Sequence, residues 1–223
     1  MTPIVPPSSP HGPAKDQPAP SRLLSFLAFT AIVLAAPVAL TVLGDGLSTQ
    51  RSILTAPENS LSALIVVLVA WLLLGYPLWP GKLLGGPSGL DAFWPWLGLR
   101  VAEIGLLLAV ATPALILSAM FSMQPTGRLL EVLVGLVGVA ALAITYRLAH
   151  QTCGTGLRVV ALLDAVLLLF APIVIGYLVL EFCGMSIGWC WEISPLVLTM
   201  DVAGRGFDWT GTSGIISLGY LAV

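Results

Sequence analysis

Apolar residues in this 223-residue chain form long unbroken blocks, separated by short stretches that hold most of the charged residues. A membrane-spanning strand would instead alternate apolar and polar positions over about ten residues. A helix needs about 20 apolar residues to cross the hydrocarbon core of a bilayer. The pattern therefore predicts an all-α, polytopic transmembrane helix bundle. Its five complete spans are predicted at 23–43, 61–79, 99–121, 129–149 and 157–181.

The two ends of the chain differ from these blocks. Residues 211–223, GTSGIISLGYLAV, are apolar but too few to cross a core of about 30 Å at 1.5 Å per residue. We interpret them as part of a sixth span, with a re-entrant or interfacial end as the alternative. Residues 1–21 are dominated by Pro, Ser and Ala without apolar periodicity, which predicts a disordered tail. Residues 22–223 are predicted to form one transmembrane domain.

The composition supports an integral membrane protein. Hydrophobic residues make up 57% of the chain and charged residues only 9%, whereas soluble domains contain about 25% charged residues. The lipid bilayer is therefore the expected solvent. Its net charge is −2, and its basic residues are too scattered to form the clustered positive surface that nucleic-acid binding requires. These observations exclude a nucleic-acid partner.

Basic residues near the span ends predict the orientation, because cytoplasmic loops carry an excess of Lys and Arg. The tail and the even-numbered loops account for six of them, and the opposite side for three. The tail should therefore be cytoplasmic, in a multi-pass protein of the cell (inner or plasma) membrane. The six are Lys15, Arg22, Lys82, Arg100, Arg147 and Arg158, and the three are Arg51, Arg128 and Arg205.

Residues suited to catalysis are scarce. The two histidines, His11 and His150, lie outside the predicted spans, which argues against haem ligation by paired histidines or a multi-histidine zinc centre. The sequence also lacks the G-x-x-x-x-G-K-[ST] phosphate loop and the G-x-S-x-G nucleophile motif. We therefore expect no intrinsic catalytic site, no cofactor and no enzymatic activity.

Two acidic residues fall within predicted spans, near the cytoplasmic surface. Glu103 and Asp164 lie a short distance inside the spans that follow Arg100 and Arg158. A charge in the bilayer centre costs about 2.5 to 3.5 kcal/mol, so both acids should face the bundle. Arg147 can snorkel to the same level, and we predict that it neutralises Asp164 or Glu103. The alternative is a proton or cation path through the two acids.

Two connecting segments are predicted to lie at the membrane surface. The first, 80–98, contains LDAFWPWLGL, which is apolar enough to lie along the cytoplasmic interface. The second, 183–210, contains the interfacial tryptophans Trp189, Trp191 and Trp209. We interpret it as a short hairpin at the outer surface, with a plain tryptophan-anchored loop as the alternative.

The outer segment also contains two cysteines, Cys183 and Cys190. On the predicted topology both face an oxidising compartment, so a disulfide between them is possible. Free apolar cysteines are the alternative. A metal site is a third possibility, with Met185 as the only other soft ligand nearby.

The layout resembles the membrane subunit of an ABC-2-type transporter. The resemblance rests on the cytoplasmic N-terminus, the six spans, the segment at 80–98 in the place of a coupling helix and the hairpin at 183–210. WEISPLVL, at 191–198, is similar to aromatic and Ser-Pro-Leu sequences found after the fifth span in that family. The resemblance implies an export transporter for a lipid-like, glycan-linked or drug-like cargo.

The resemblance also implies partners. A separate cytosolic ATP-binding subunit would dock on 80–98, with Phe93, Trp94 and Trp96 as the docking candidates. The chain would form a homodimer or pair with a second membrane subunit. Two other classes of function stay open from the sequence. One is a non-transporting membrane scaffold or assembly protein, and the other is an ion-coupled carrier that uses Glu103 and Asp164.

Overall fold

The computed structural model describes residues 19–47, 60–79, 83–84, 93–152, 154–184, 193–205, 216 and 220. All regular secondary structure among these residues is helical, and five of the helices are long and apolar enough to cross a membrane. This confirms the predicted all-α transmembrane bundle. The helices are α1 (Ala19–Leu47), α2 (Ser60–Leu78), α3 (Phe93–Phe121), α4 (Thr126–Thr152), α5 (Thr155–Cys183) and α6 (Pro195–Arg205).

Most helix ends lie beyond the ends of the predicted spans, and the difference is largest at the start of α3. Helix α3 begins at Phe93, so residues 93–98 are its first turns and not a separate surface segment. Pro95 does not interrupt the helix, because it lies in the first turn of α3, where an N–H would have no partner within the helix. Most of 80–92 lies outside the described residues, as do residues 1–18 of the tail predicted at 1–21 and most of the predicted sixth span. Residues 19–21 of the predicted tail belong to α1.

Successive long helices run in opposite directions. The Leu61 backbone N–H donates to Ser122 Oγ at 3.1 Å, which places the start of α2 beside the end of α3. Arg147 Nη1 donates to the Tyr76 carbonyl at 2.9 Å, which places the end of α2 beside the end of α4. We call these two ends of the bundle the Ser122 end and the Arg147 end. Helices α1, α3 and α5 begin at the Arg147 end.

Helix α2 is the centre of the bundle. It packs against α1, α3, α4 and α6, and half of its most apolar stretch is buried, compared with 17% for α5. Its apolar side chains form the middle of the core, including Leu64, Ile65, Leu68 and Leu72, all with no exposed surface. A change in the shape of α2 therefore reaches most of the other helices.

Helix α2 contains a π-helical turn at Trp71–Gly75, followed by a last α-helical turn at Tyr76–Leu78. The Trp71 indole N–H donates to Thr30 Oγ1 of α1 at 3.0 Å, and the ring stacks on Phe26 with centroids 6.0 Å apart. Gly75 makes this placement possible, because a Cβ there would lie 2.2 Å from the Trp71 ring. π-Helical turns are rare in proteins, and those that occur are often found at functional sites.

Replacing Gly75 with alanine should therefore lower the thermal unfolding temperature of the protein in detergent. The added methyl overlaps the Trp71 ring, and overpacking of this kind costs about 1 to 3 kcal/mol. Intrinsic tryptophan fluorescence during heating measures the effect. Gly98→Ala in α3 is the matched control, because a Cβ at Gly98 has no neighbour within 4 Å. Equal unfolding temperatures for the two variants would contradict the importance of this contact.

Helix α6 lies inside the bundle and not at its outer surface. It packs against α2 and α4 and less extensively against α5, and Leu198 and Val202 have no exposed surface. Val202 contacts α4 at Gly135, where a Cβ would lie 3.8 Å from its methyl groups. The prediction of a surface hairpin at 183–210 therefore needs correction for 193–205. Residues 185–192 and 206–210 lie outside the described residues.

A hydrogen bond fixes the depth at which α6 begins. Ser194 Oγ, just before the helix, donates to the Leu169 carbonyl at 2.7 Å, and Leu169 lies halfway along α5. Pro172 has no N–H to donate to the carbonyl of Leu168, four residues earlier in the helix. Ser194 binds the next carbonyl along the chain, that of Leu169. The chain therefore returns from the end of α5 to the middle of the bundle.

Candidate functional site

Four polar side chains from three helices meet inside the bundle at the Arg147 end. They are Tyr76 of α2, Arg100 and Glu103 of α3, and Arg147 of α4. Tyr76 has no exposed surface, and the other three are each 1% exposed. We call these four residues the Glu103 cluster. Charged residues are rarely buried to this extent unless they are paired, so their contacts decide what the cluster does.

The Glu103 carboxylate accepts hydrogen bonds from three residues. Arg100 Nη1 lies 2.5 Å from both carboxylate oxygens. The two residues are neighbours because positions three apart share a helix face. The Tyr76 hydroxyl donates to Oε2 at 2.9 Å, and the Leu84 backbone N–H donates to Oε1 at 3.0 Å. The Arg100 guanidinium also lies over the Trp96 ring, 5.6 Å from its centroid. Glu103 thereby joins α2, α3 and the connection between them.

Arg147 caps the C-terminal end of α2. Its Nη1 donates to the carbonyls of Tyr76, Pro77 and Trp79 at 2.9, 3.1 and 2.5 Å. The last carbonyls of a helix have no partners within it and form the negative end of the helix dipole, which favours a cation there. The guanidinium also lies over the Tyr76 ring, 5.3 Å from its centroid. Arg147 therefore points into the bundle and does not snorkel to the surface.

The predicted neutralisation of Glu103 or Asp164 by Arg147 takes a different form in the structure. Tyr76 bridges Arg147 and Glu103, because its hydroxyl donates to Glu103 and its ring lies under the Arg147 guanidinium. The arginine that donates to Glu103 directly is Arg100. Asp164 is an exposed residue and accepts a hydrogen bond from the Tyr146 hydroxyl at 2.7 Å. Glu103 therefore lies inside the bundle, as expected, whereas Asp164 contacts α4 through Tyr146 but is exposed.

Sequence reasoning missed Tyr76, the residue that connects the two halves of the cluster. The sequence offered little indication of its role, because Tyr76 is a single tyrosine near the end of an apolar span, between Gly75 and Pro77. The π-helical turn ends at Gly75, directly before Tyr76, and the phase of the helix at that point is not visible in the sequence. An aromatic residue near a span end is ordinarily explained as an interfacial anchor.

The cluster anchors the connection between α2 and α3 at two points. Trp79, at its beginning, is bound by Arg147 of α4, and Leu84 is bound by Glu103 of α3. Both anchoring side chains are buried. A displacement of this connection would therefore act on α3 and α4 as well as on α2.

The three predicted docking residues differ in exposure. Trp94 is 77% exposed and Phe93 is 38% exposed, whereas Trp96 is only 5% exposed. The Trp96 indole N–H donates to Gln151 Oε1 of α4 at 3.2 Å. Phe93 and Trp94 are therefore accessible at the Arg147 end, and Trp96 holds α3 against α4.

The cysteine prediction falls partly outside the described residues. Cys183 is an exposed thiol in the last turn of α5, and Cys190 lies outside the described residues. Gly184 ends α5 in the left-handed conformation, with φ of 63°, and its N–H donates to the Leu180 carbonyl at 3.1 Å. Glycine adopts this conformation without strain. The disulfide stays a prediction, and the described residues contain no group of three or more His, Cys, Asp or Glu side chains placed to hold a metal.

Comparison of the chain with protein-family models, with curated proteins and with solved structures finds no match. The class of this protein is therefore defined by features of its own structure. The part of the chain that the structure describes contains five helices long and apolar enough to span a bilayer, with a buried ionic cluster at one end of the bundle. These features define a multi-pass integral membrane protein.

Proposed function

We propose that this chain is the membrane-spanning subunit of an ATP-driven export transporter of the ABC-2 type, and that it docks a separate ATPase. The observation that best supports the proposal is the anchoring of the α2–α3 connection. Arg147 of α4 binds it at Trp79, and Glu103 of α3 binds it at Leu84. A cytosolic partner that moves this connection would move three spans together.

The proposed orientation places the Arg147 end in the cytosol. The ATPase then docks where α3 begins, at the exposed side chains of Phe93 and Trp94. A second copy of the chain, or a related membrane subunit, completes the transporter. Nucleotide-driven motion does work only if the partner contacts two states of the spans differently. The docking surface and the Glu103 cluster are the elements on which such a difference would act.

The packing of helix α6 also supports this proposal. It packs against α2 and α4, which are also the helices joined by Arg147. Motion of these two helices at the Arg147 end would therefore reach α6. In our proposal α6 is the element that transmits the motion toward the Ser122 end and the outer leaflet.

The contacts of Glu103 favour this proposal over an ion-coupled carrier. A carboxylate that binds and releases a coupling ion must be free to exchange its partners. Glu103 is bound by Arg100, Tyr76 and Leu84, and it is 1% exposed. Its hydrogen bonds fit a structural connection between helices better than a site of ion exchange.

Replacing Trp94 with alanine should remove the ATPase from the purified transporter. Truncating an aromatic residue that anchors a protein interface commonly costs 2 kcal/mol or more, which weakens binding by roughly 30-fold. The measurement is vanadate-sensitive ATP hydrolysis in material purified from native membranes through a tag on this chain. Wild-type material should contain the activity, and the Trp94→Ala variant should lack it at unchanged membrane levels.

Two further variants test the specificity of this result. Phe182 is 79% exposed near the Ser122 end, so Phe182→Ala is a matched control that should retain the ATPase. Trp96→Ala should instead lower the unfolding temperature, because it removes the bond to Gln151 and the ring beneath Arg100. Wild-type material without associated ATP hydrolysis would contradict the proposal and favour a scaffold.

A further inference from the structure

A cavity of about 590 Å³ lies between α3 and α4. Along α3 it extends from Phe93, at the Arg147 end, to Leu108, and it reaches Val137 on α4. Its described walls are formed almost entirely by hydrocarbon side chains, with Trp96 among those from α3 and Ile144 among those from α4. The volume lies within the range of about 300 to 1,000 Å³ that is usual for ligand sites.

The polar groups in the walls already have partners. Among the described residues that line the cavity, two bear a hydroxyl group, Thr145 and Tyr220. Thr145 Oγ1 donates to the Ala141 carbonyl at 3.1 Å, and the Tyr220 hydroxyl donates to the Ile193 carbonyl. A polar ligand would gain little here, because burying its polar groups without hydrogen bonds is costly. The chemical complement of the cavity is a hydrocarbon.

The dimensions of the cavity favour an elongated ligand. From Phe93 to Leu108 the helix rises about 22 Å. A cavity of about 590 Å³ that extends over this length is elongated and not compact. A single extended hydrocarbon chain has a matching shape.

The position of the cavity matches one leaflet of a bilayer. One end lies beside Trp94, which is 77% exposed, as is typical of tryptophans at the level of lipid headgroups. The other end, at Leu108, lies halfway along α3. Half of a hydrocarbon core is about 15 Å thick, so the cavity is long enough for the tail of a lipid from that leaflet.

We propose that this cavity is a binding site for one hydrocarbon chain of a membrane lipid from the leaflet at the Arg147 end. The tail lies between α3 and α4, and the headgroup lies outside, near Trp94 and Gln151. The bound chain fills the space between the two helices that Arg147 and Glu103 connect to α2. This proposal does not depend on the proposed transport function. The bound lipid is distinct from the lipids that surround the protein, because its tail lies between two helices.

Gly105 offers a direct test. It lines the cavity, and a Cβ there has no neighbour within 4 Å, so Gly105→Leu places a side chain in the space that the tail would occupy. Gly98 lies on the same helix, and its Cβ position is equally open, but it does not line the cavity. Gly98→Leu is therefore a matched control with the same change in volume and helix propensity.

The experiment uses the full chain in phosphatidylcholine nanodiscs that contain a small fraction of phosphatidylcholine with a diazirine in one acyl chain. After illumination, mass spectrometry quantifies the label on Leu108 and Ile144 in the cavity. The exposed residues Leu163 and Leu167 of α5 report the surrounding lipid. Gly105→Leu should reduce the cavity label about tenfold, because loss of even two buried methylenes has an effect of this size.

The controls separate a bound tail from its alternatives. Label on Leu163 and Leu167 should be the same in all variants, and Gly98→Leu should resemble the wild type at every position. If Gly105→Leu fails to fold, Val101→Trp fills the same cavity from an exposed position. Cavity label that neither variant reduces would overturn the proposal. Cross-links through Ile144 between two copies of the chain would also overturn it, in favour of a protein contact.

Discussion

Replacing Glu103 with alanine is expected to lower the free energy of unfolding by about 3 to 5 kcal/mol, because removal of one member of a buried ion pair leaves the other charge uncompensated. Arg100 is the charge left behind, and it is 1% exposed. The variant also removes the acceptor for the Tyr76 hydroxyl and the Leu84 N–H. Unfolding by a denaturing detergent in mixed micelles measures the change.

The sequence contains a matched control for this prediction. Arg128 and Glu131 have the same spacing, and Nη1 lies 3.0 Å from Oε2, but their side chains are 20% and 40% exposed. Exposed pairs contribute no more than about 1 kcal/mol, so Glu131→Ala should have a much smaller effect. Glu103→Gln keeps the shape of the side chain and should lie between the two. Equal effects of Glu103→Ala and Glu131→Ala would show that burial is unimportant.

Replacing Arg147 with alanine should also destabilise the protein strongly, by at least about 3 kcal/mol, because each hydrogen bond to a charged group contributes roughly 1.5 to 3 kcal/mol. The carbonyls of Tyr76, Pro77 and Trp79 would all lose a donor inside the bundle. The membrane level of the protein and its thermal unfolding temperature are the measurements, and both should fall.

Two comparisons identify the cause of that loss. Arg147→Lys retains the cation but replaces the planar guanidinium, so it should recover only part of the stability. Arg158 is an exposed residue in the first turn of α5, at the same end of the bundle, and Arg158→Ala should have little effect on unfolding. Unchanged membrane levels and thermal stability in Arg147→Ala would refute both the cap on α2 and the anchoring role of Arg147.

These stability predictions and the docking prediction can fail independently. Glu103 and Arg147 test whether the α2–α3 connection is anchored inside the bundle. Trp94 tests whether a partner binds outside it. A protein with a firmly anchored connection but no ATPase would be a membrane scaffold, and its Glu103 cluster would still hold the three helices together.

Much of the fold was predictable because the bilayer imposes a simple requirement. Each span must be apolar over about 20 residues and must satisfy its own backbone hydrogen bonds. Blocks of apolar residues therefore located all five long helices. Their ends were less predictable, as α3 shows: it begins at Phe93, six residues before the span predicted at 99–121.

The candidate site was predictable only where its contacts are local. Arg100 and Glu103 lie three residues apart, and that spacing predicts their pairing. Arg147 and Tyr76 are 71 residues apart in the chain, and their contact depends on how α2 and α4 pack. The sequence suggested that Arg147 was close to an acid, but its bonds to backbone carbonyls were not foreseeable.

By itself, the sequence determined that this protein consists of apolar helices in a bilayer and which polar residues lie within them, because both follow from the local composition of each span. Only the tertiary structure decided that Arg147 caps α2, that Tyr76 joins Arg147 to Glu103, and that α6 lies inside the bundle. The physical reason is that a polar group buried in an apolar bundle must find a partner. Which partner it finds depends on packing between helices far apart in the chain.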